Sequence, residues 1–287
     1  MTSRRIERFT RSSLTFDVSD AGPIDGTPVV LLHGFPQRAT AWNEVAARLH
    51  DAGMRTFAPD QRGYSPGARP RSRFAYGIKQ LVADGVALID EIGGPVHLVG
   101  HDWGGAVSWA IAVRHRDQVA SLVAVSLGHP RAWLPSMIIS DQARRSYYMA
   151  PFQTSWAEHA FKQRGGWGER LMRSWGMDGE MLERMHREIV ADGALRGALN
   201  WYRAMFLGSM GSFATVRVPT TFVWGDADAT IGPVTARRTK RFVDAPYRFV
   251  QIRGANHFPP EERPGDVADA IVDRVRADYG KSPSTGP

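Results

Sequence analysis

Short apolar, partly β-branched runs recur through the whole chain and constrain its fold more than any other feature. They cover residues 29–32, 54–58, 96–99, 122–125, 221–224 and 249–252. Each is about as long as one strand. Little polar alternation interrupts them, which is what strands buried on both faces of a parallel sheet require. Helical patterns lie between them. Ile78, Leu81, Val82, Val86, Ile89 and Ile92 recur at near-helical spacing, and Val267, Ala270, Ile271 and Val275 repeat this ahead of Gly280. Strands alternating with amphipathic helices imply a doubly wound α/β domain, whose ligands bind at the carboxyl ends of the strands. The residues just after each run are therefore where chemistry is expected.

The alternation stops between about Arg131 and Gly211. That stretch has no strong strand run, and Trp156, Phe161, Trp167, Trp175, Trp201 and Phe206 suggest helices with aromatic faces. It is far longer than one crossover needs. We read residues 1–130 and 212–287 as the core and 131–211 as a helical cap inserted into it. The tail, 281–287, is rich in Ser, Pro and Gly and is expected to be disordered.

Composition removes several classes of function. The 287 residues contain no cysteine, which excludes thiol catalysis, disulfides and thiolate metal sites and fits a reducing compartment. The basic start has no apolar stretch or cleavage site of a secretory signal, and no run approaches the ~20 residues of a membrane helix. Cytoplasmic location and no membrane partner are the expectation. The net charge of +7 comes from scattered residues, among them Arg237, Arg238, Lys240 and Arg241. No nucleic-acid-binding signature accompanies them, so a solvated surface is the reading and no nucleic acid is expected.

Gly100-His101-Asp102-Trp103-Gly104-Gly105 follows the third run and opens a helical pattern. This is the strand–nucleophile–helix turn of a G-x-S-x-G elbow with Asp in the Ser position. A Gly-rich turn with a capping Asp would look the same in isolation. Two later motifs argue against that. Trp224-Gly225-Asp226-Ala227-Asp228 follows the fifth run, where an acid that orients a base belongs, and Gly254-Ala255-Asn256-His257-Phe258 follows the sixth, where the base belongs. Asp228 is the preferred acid; Asp226 is the runner-up and could simply brace the turn. Leu127-Gly128-His129 offers no carboxylate after the fourth run. His33-Gly34-Phe35-Pro36 follows the first run and would let the Phe35 N–H join that of Trp103 as an oxyanion hole, with Pro36 fixing the turn, a cis bond being one way to do so.

An aspartate nucleophile suits displacement at an sp3 carbon better than acyl transfer, because an acyl-aspartate would be a labile anhydride. Attack gives an alkyl ester, which water activated by His257 then hydrolyses. These residues specify alkyl transfer to water and leave the leaving group open.

Together the four motifs resemble the α/β-hydrolase-fold epoxide hydrolases over nearly the whole chain. The resemblance implies a mostly parallel sheet with flanking helices and a helical cap, conversion of epoxides to vicinal diols, no metal or organic cofactor, and two cap tyrosines that hydrogen-bond the epoxide oxygen. Asn200-Trp201-Tyr202-Arg203 matches the second tyrosine motif; the spacing to Phe152-Gln153 favours Tyr148 as the first, with Tyr147 adjacent. Trp103, Phe35 and Pro36 are expected to touch an apolar substrate, an aryl-bearing one among the candidates, and both monomer and homodimer stay open. Haloalkane and haloacid dehalogenases share the Asp-His-Asp set. The former would use Trp103 for halide but usually carry a polar residue at the Phe35 position and lack the tyrosine pair; those acting on fluoroacetate carry arginines just after the nucleophile, where Trp103 stands here. A serine esterase is opposed by Asp102, and a non-catalytic binding protein of the same fold by the intact triad.

Overall fold

The computed structural model describes residues 2–205 and 214–279. The expected tail at 281–287, Phe206, and the proposed cap boundary at 211/212 lie outside them.

All six runs form strands: β3 (Thr27–Leu32), β4 (Met54–Pro59), β5 (Val96–His101), β6 (Val119–Val125), β7 (Thr220–Gly225) and β8 (Tyr247–Ile252). Two further strands precede them, β1 (Arg8–Arg11) and β2 (Leu14–Ala21). The sheet order is β1-β2-β4-β3-β5-β6-β7-β8. The β1–β2 and β2–β4 pairs are antiparallel and every later pair is parallel. Helices α1 (Asn43–Asp51), α2 (Ile78–Ile92) and α3 (Trp103–Arg114) connect the early strands. Between β6 and β7 come α4 (Pro130–Ile139), α5 (Gln142–Arg145), α6 (Met149–Phe152), α7 (Trp156–Lys162), α8 (Trp167–Ser174), α9 (Gly179–Met185) and α10 (Leu195–Ala204). Helix α11 (Pro233–Arg238) lies between β7 and β8, and α12 (Pro259–Glu262) and α13 (Pro264–Tyr279) follow β8. Among the described residues no helix is long and apolar enough to cross a membrane.

The parallel strands β3 to β7 are buried on both sides because both faces are covered, whereas β8, at the sheet edge, is only half-buried. One core holds Val30, Leu32, Leu98, Trp109, Leu122 and Phe222 and continues into the helices between β6 and β7. The other packs Val29, Leu31, Val99 and Val223 against α1 and α13. The parallel pairing sets Leu32 beside Gly100, His101 beside Val125, and Gly225 beside Ile252. The turns after β3, β5, β7 and β8 therefore emerge along one edge of the sheet.

The N-terminal hairpin is fastened to this frame by a buried ion pair. Asp20 accepts from Arg55 Nε at 2.8 Å and Nη2 at 2.6 Å, and from the Ile6 N–H at 2.7 Å. Arg55 also donates to the Thr2, Arg4 and Ile24 carbonyls. Burial disfavours the Asp20 charge, but these donors outweigh it and hold the carboxyl below its ordinary range. Its stabilisation is thus present above the unfolded-state pKa of 3.8 and is lost as pH falls through the lower folded value. Asp20→Asn leaves the Arg55 charge buried without its counter-ion and is expected to lower stability by about 3–5 kcal/mol at neutral pH. Urea unfolding of variant and wild type measures this, and a loss below 1 kcal/mol would mean water reaches Arg55.

Candidate active site

The turn after β5 gives Asp102 a backbone that few side chains tolerate, with φ at 49°. It projects the carboxylate above the sheet edge at the start of α3. The chain can approach itself this closely because of two glycines. A Cβ on Gly100 would overlap the Gly104 carbonyl and Ser108 Oγ, and one on Gly104 would overlap the Leu32 carbonyl.

Three turns converge on Asp102. From the turn after β3, whose Phe35–Pro36 peptide is cis, the Phe35 N–H donates to Asp102 Oδ1 at 2.8 Å. Trp103 opens α3, so its own N–H has no place in the helical ladder. From the turn after β8, His257 Nε2 faces Asp102 Oδ2 at 3.4 Å, long for a hydrogen bond but close enough for the charges to couple. The other imidazole nitrogen, Nδ1, lies 3.0 Å from Asp228 Oδ2. Asp228 is fixed in turn by the Thr230 and Ile231 N–H groups on Oδ1, at 2.7 and 3.0 Å.

The two candidate acids separate cleanly. Asp226 is exposed and accepts from the Gly254 N–H at 2.7 Å and Gln251 Nε2 at 3.0 Å, so it braces the β7–β8 turns. Asp228 is the one on the imidazole. The neighbouring tyrosines separate as well: Tyr147 is 57% exposed and Tyr148 only 5%.

Tyr148, Tyr202, Trp103 and Asp102 all line one cavity of about 110 Å3. Its remaining wall is mostly apolar, with Leu127, Trp133, Met149 and Ile231 among the contributors. The Tyr148 and Tyr202 rings meet at 6.0 Å. Two expected substrate contacts need correction. Phe35 and Pro36 are not in this wall. The Phe35 side chain is drawn into a cluster with Phe152, Phe161 and Tyr202, at 5.2, 5.6 and 5.2 Å, leaving its backbone N–H as its contribution. Pro36 borders a separate small pocket with Met177 and Met181. His257 is not in the wall either: it sits behind Asp102, beneath Trp175, whose ring lies 5.6 Å away.

Electrostatics follow from this arrangement. Burial alone would depress the His257 pKa, but the charge of Asp228 and the proximity of Asp102 raise it to about 10. Burial likewise opposes ionisation of Asp102, yet His257, His101 and the Phe35 N–H hold its carboxyl below the usual range. Burial lowers His101 to about 4, so it is neutral, and its Nε2 donates to the His257 carbonyl at 2.7 Å. Burial and the charge of Asp102 push both Tyr148 and Tyr202 well above the ordinary phenol range, which keeps them protonated. Among the described residues no group of His, Asp and Glu is disposed to hold a metal ion.

Comparison with known proteins gives this geometry a context. A model of the alpha/beta hydrolase family matches residues 29–270. Epoxide hydrolase A of Mycobacterium tuberculosis is 33% identical, over 89% of this chain and 92% of that protein. The chain belongs to the epoxide hydrolase family of α/β-hydrolases. An AB hydrolase superfamily protein of Bacillus subtilis is 31% identical, over 92% of this chain and 96% of its own. The crystal structure of Epoxide Hydrolase A from Mycobacterium thermoresistibile superposes with a TM-score of 0.78 at 28% identity, covering 94% of this chain and 98% of that one. This family member is thus an enzyme of the hydrolase class.

Sequence reasoning missed several residues that shape the site of this family member. Thr230 Oγ1 lies 2.9 Å from Asp228 Oδ1 and 2.8 Å from His257 Nδ1, and Thr230 also lines the cavity. Trp175 accepts the His257 N–H on its carbonyl at 3.0 Å, and Gln142 reaches the Asp228 loop from α5. A Thr two residues beyond a proposed acid was the one available signal, since an Asx-type turn favours a hydroxyl there. The others come from contacts between distant segments.

Proposed function

We propose that the chain hydrolyses apolar epoxides to vicinal diols through a covalent ester on Asp102. One observation carries the reading: an ionised carboxylate on a nucleophile elbow shares one apolar cavity with two buried, protonated phenols. Residues 131–211 act as the cap that supplies those phenols and excludes water. The substrate and water are its partners, and the cytoplasm is the proposed location.

In the first step an Asp102 oxygen attacks a ring carbon and the carbon–oxygen bond breaks. The electron pair stays on the epoxide oxygen, which Tyr148 and Tyr202 stabilise by hydrogen bonding and proton donation. Alkylation removes the negative charge of Asp102, one of the influences that raises His257. The imidazole pKa then falls, its proton replaces the one the phenol gave up, and the now neutral His257 can take a proton from water as that water attacks the ester carbonyl. The oxyanion forms in reach of the Phe35 and Trp103 N–H groups. Its collapse releases the diol and restores the carboxylate, while Asp228 stabilises the imidazolium.

The two steps should titrate differently. Adduct formation needs ionised Asp102, so it is expected to persist below pH 3.8 as far as the protein stays folded. Adduct decay needs neutral His257 and should rise with pH through an inflection below 10, the value of the unalkylated enzyme. Single-turnover kinetics across pH measure both, and a decay rate independent of pH would remove His257 as the base.

The function itself is tested by a paired turnover assay, styrene oxide against a bromoalkane of similar size. Diol without bromide supports the proposal. Bromide without diol would reassign Trp103 as a halide ligand and make the protein a dehalogenase, and no turnover of either would favour a binding protein.

A further inference from the structure

We infer that Gln142 is a positioning residue that locks the cap segment bearing Tyr148 to the core loop bearing Asp228 and Thr230, so that the two halves of the active site keep one register. The inference rests on the reading above. Gln142 belongs to α5 and is fully buried. Its amide capacity is almost wholly spent across the seam. Nε2 donates to the Thr230 carbonyl at 2.6 Å and to Ser146 Oγ at 3.2 Å. Oε1 accepts from the Gly232 N–H at 3.0 Å and from Thr235 Oγ1 at 2.9 Å. A buried amide with two donors and two acceptor sites filled by fixed partners specifies one geometry, because any shift leaves polar atoms unpaired.

A second contact runs in parallel. Arg145 Nη1 donates to the Asp228 carbonyl at 2.7 Å, while Asp141 Oδ2 accepts from its Nε at 2.8 Å and aims the guanidinium. Both residues lie just upstream of Tyr148 on one continuous set of turns, in which the Ser146 N–H bonds the Gln142 carbonyl and the Phe152 N–H bonds that of Tyr148. The segment 141–152 therefore holds a proposed ring-opening donor at one end and grips the acid loop at the other. On that loop, Thr230 touches both Asp228 and His257 Nδ1. Displacing the Thr230 backbone moves its hydroxyl, and with it the hydrogen bonding that keeps Nδ1 protonated and Nε2 turned to Asp102. The titratable groups facing His257 are Asp228, Asp102 and His101, with Tyr148 close enough to feel both carboxylates.

Gln142→Met keeps volume and loses all four bonds. With styrene oxide, adduct formation and adduct decay are both expected to slow by roughly tenfold or more, with the pH inflection of decay displaced by at least half a unit. Residue packing alone would lower Tm and leave the rates and the inflection in place, and that result overturns the inference. Should Gln142→Met fail to fold, Arg145→Met provides the same test from the half-buried side of the seam, with the same two outcomes. Wild-type diol formation is measured alongside: its absence sinks the proposed function, whereas a wild-type diol with an unaltered variant profile sinks only the role of Gln142.

Discussion

His257→Gln is expected to accumulate an alkyl ester on Asp102 when the protein is treated with an epoxide. Glutamine fills much of the imidazole's space but cannot accept a proton from water, so the variant retains the proposed nucleophile and loses the proposed base. Turnover should fall by on the order of 10²–10⁴-fold, the usual worth of a positioned general base. Ring opening expels nothing, so intact-protein mass should rise by the mass of one whole epoxide, and proteolysis should place the increment on the peptide containing Asp102. A halide displacement would instead add the alkyl group alone. The substitution also removes a buried cation 3.4 Å from Asp102, which weakens one of the influences that keep the carboxyl ionised. Labelling is therefore best measured above neutral pH, where a carboxylate ionises even without that help. A folded variant that takes up no mass there would count decisively against covalent catalysis by Asp102.

How much of this was legible in the sequence differs from one residue to the next. Five of the six runs stood out because burial on both faces removes polar alternation, while the sixth, on the half-buried edge strand β8, is still largely apolar; the three chemical motifs stood out because they follow such runs. The β1–β2 hairpin did not. Its strands sit at and next to the sheet edge with charged residues such as Arg8, Arg11 and Asp17, and their buried apolar side chains are Phe9, Phe16 and Val18. Read one-dimensionally, that segment is a basic, polar leader. Asp226 and Asp228 were two candidates because spacing fixes the turn but not which carboxylate points at the imidazole; the Thr230 and Ile231 N–H groups decide it. Tyr147 and Tyr148 were ambiguous for a related reason. The irregular turns around α5 and α6 give no periodicity from which to judge which side faces the cavity. Gln142 has no signal at all, since its partners Thr230 and Gly232 on the Asp228 loop are 88 and 90 residues away along the chain.

Tyr148→Phe and Tyr202→Phe should each slow adduct formation by on the order of 10²–10³-fold, the typical cost of removing one donor from a developing oxyanion. The decay of a preformed adduct should change by no more than a few-fold. The asymmetry comes from when charge appears on the substrate oxygen. It develops during ring opening, and once the ester exists that oxygen is a neutral hydroxyl. Packing is preserved in both variants, since phenylalanine keeps the ring. Tyr202 would still meet Phe35, Phe152 and Trp103 at 5.2, 4.8 and 5.2 Å. Tyr148 would still meet Trp175 at 4.4 Å, and Trp175 covers His257. Rapid-mixing measurements of the two steps separate the cases. Equal slowing of both steps would assign the hydroxyls to the architecture around His257 rather than to the epoxide oxygen. Tyr147→Phe supplies the control, because its exposed hydroxyl lies outside the cavity and its loss should leave both rates as they are. The double variant Tyr148→Phe/Tyr202→Phe sharpens the argument further. If both donors act on one alkoxide, losing the second leaves Tyr76 as the remaining phenol of the cavity wall, and its hydroxyl already donates to the Pro70 carbonyl at 2.8 Å; ring opening should therefore fall below detection while Asp102 remains intact.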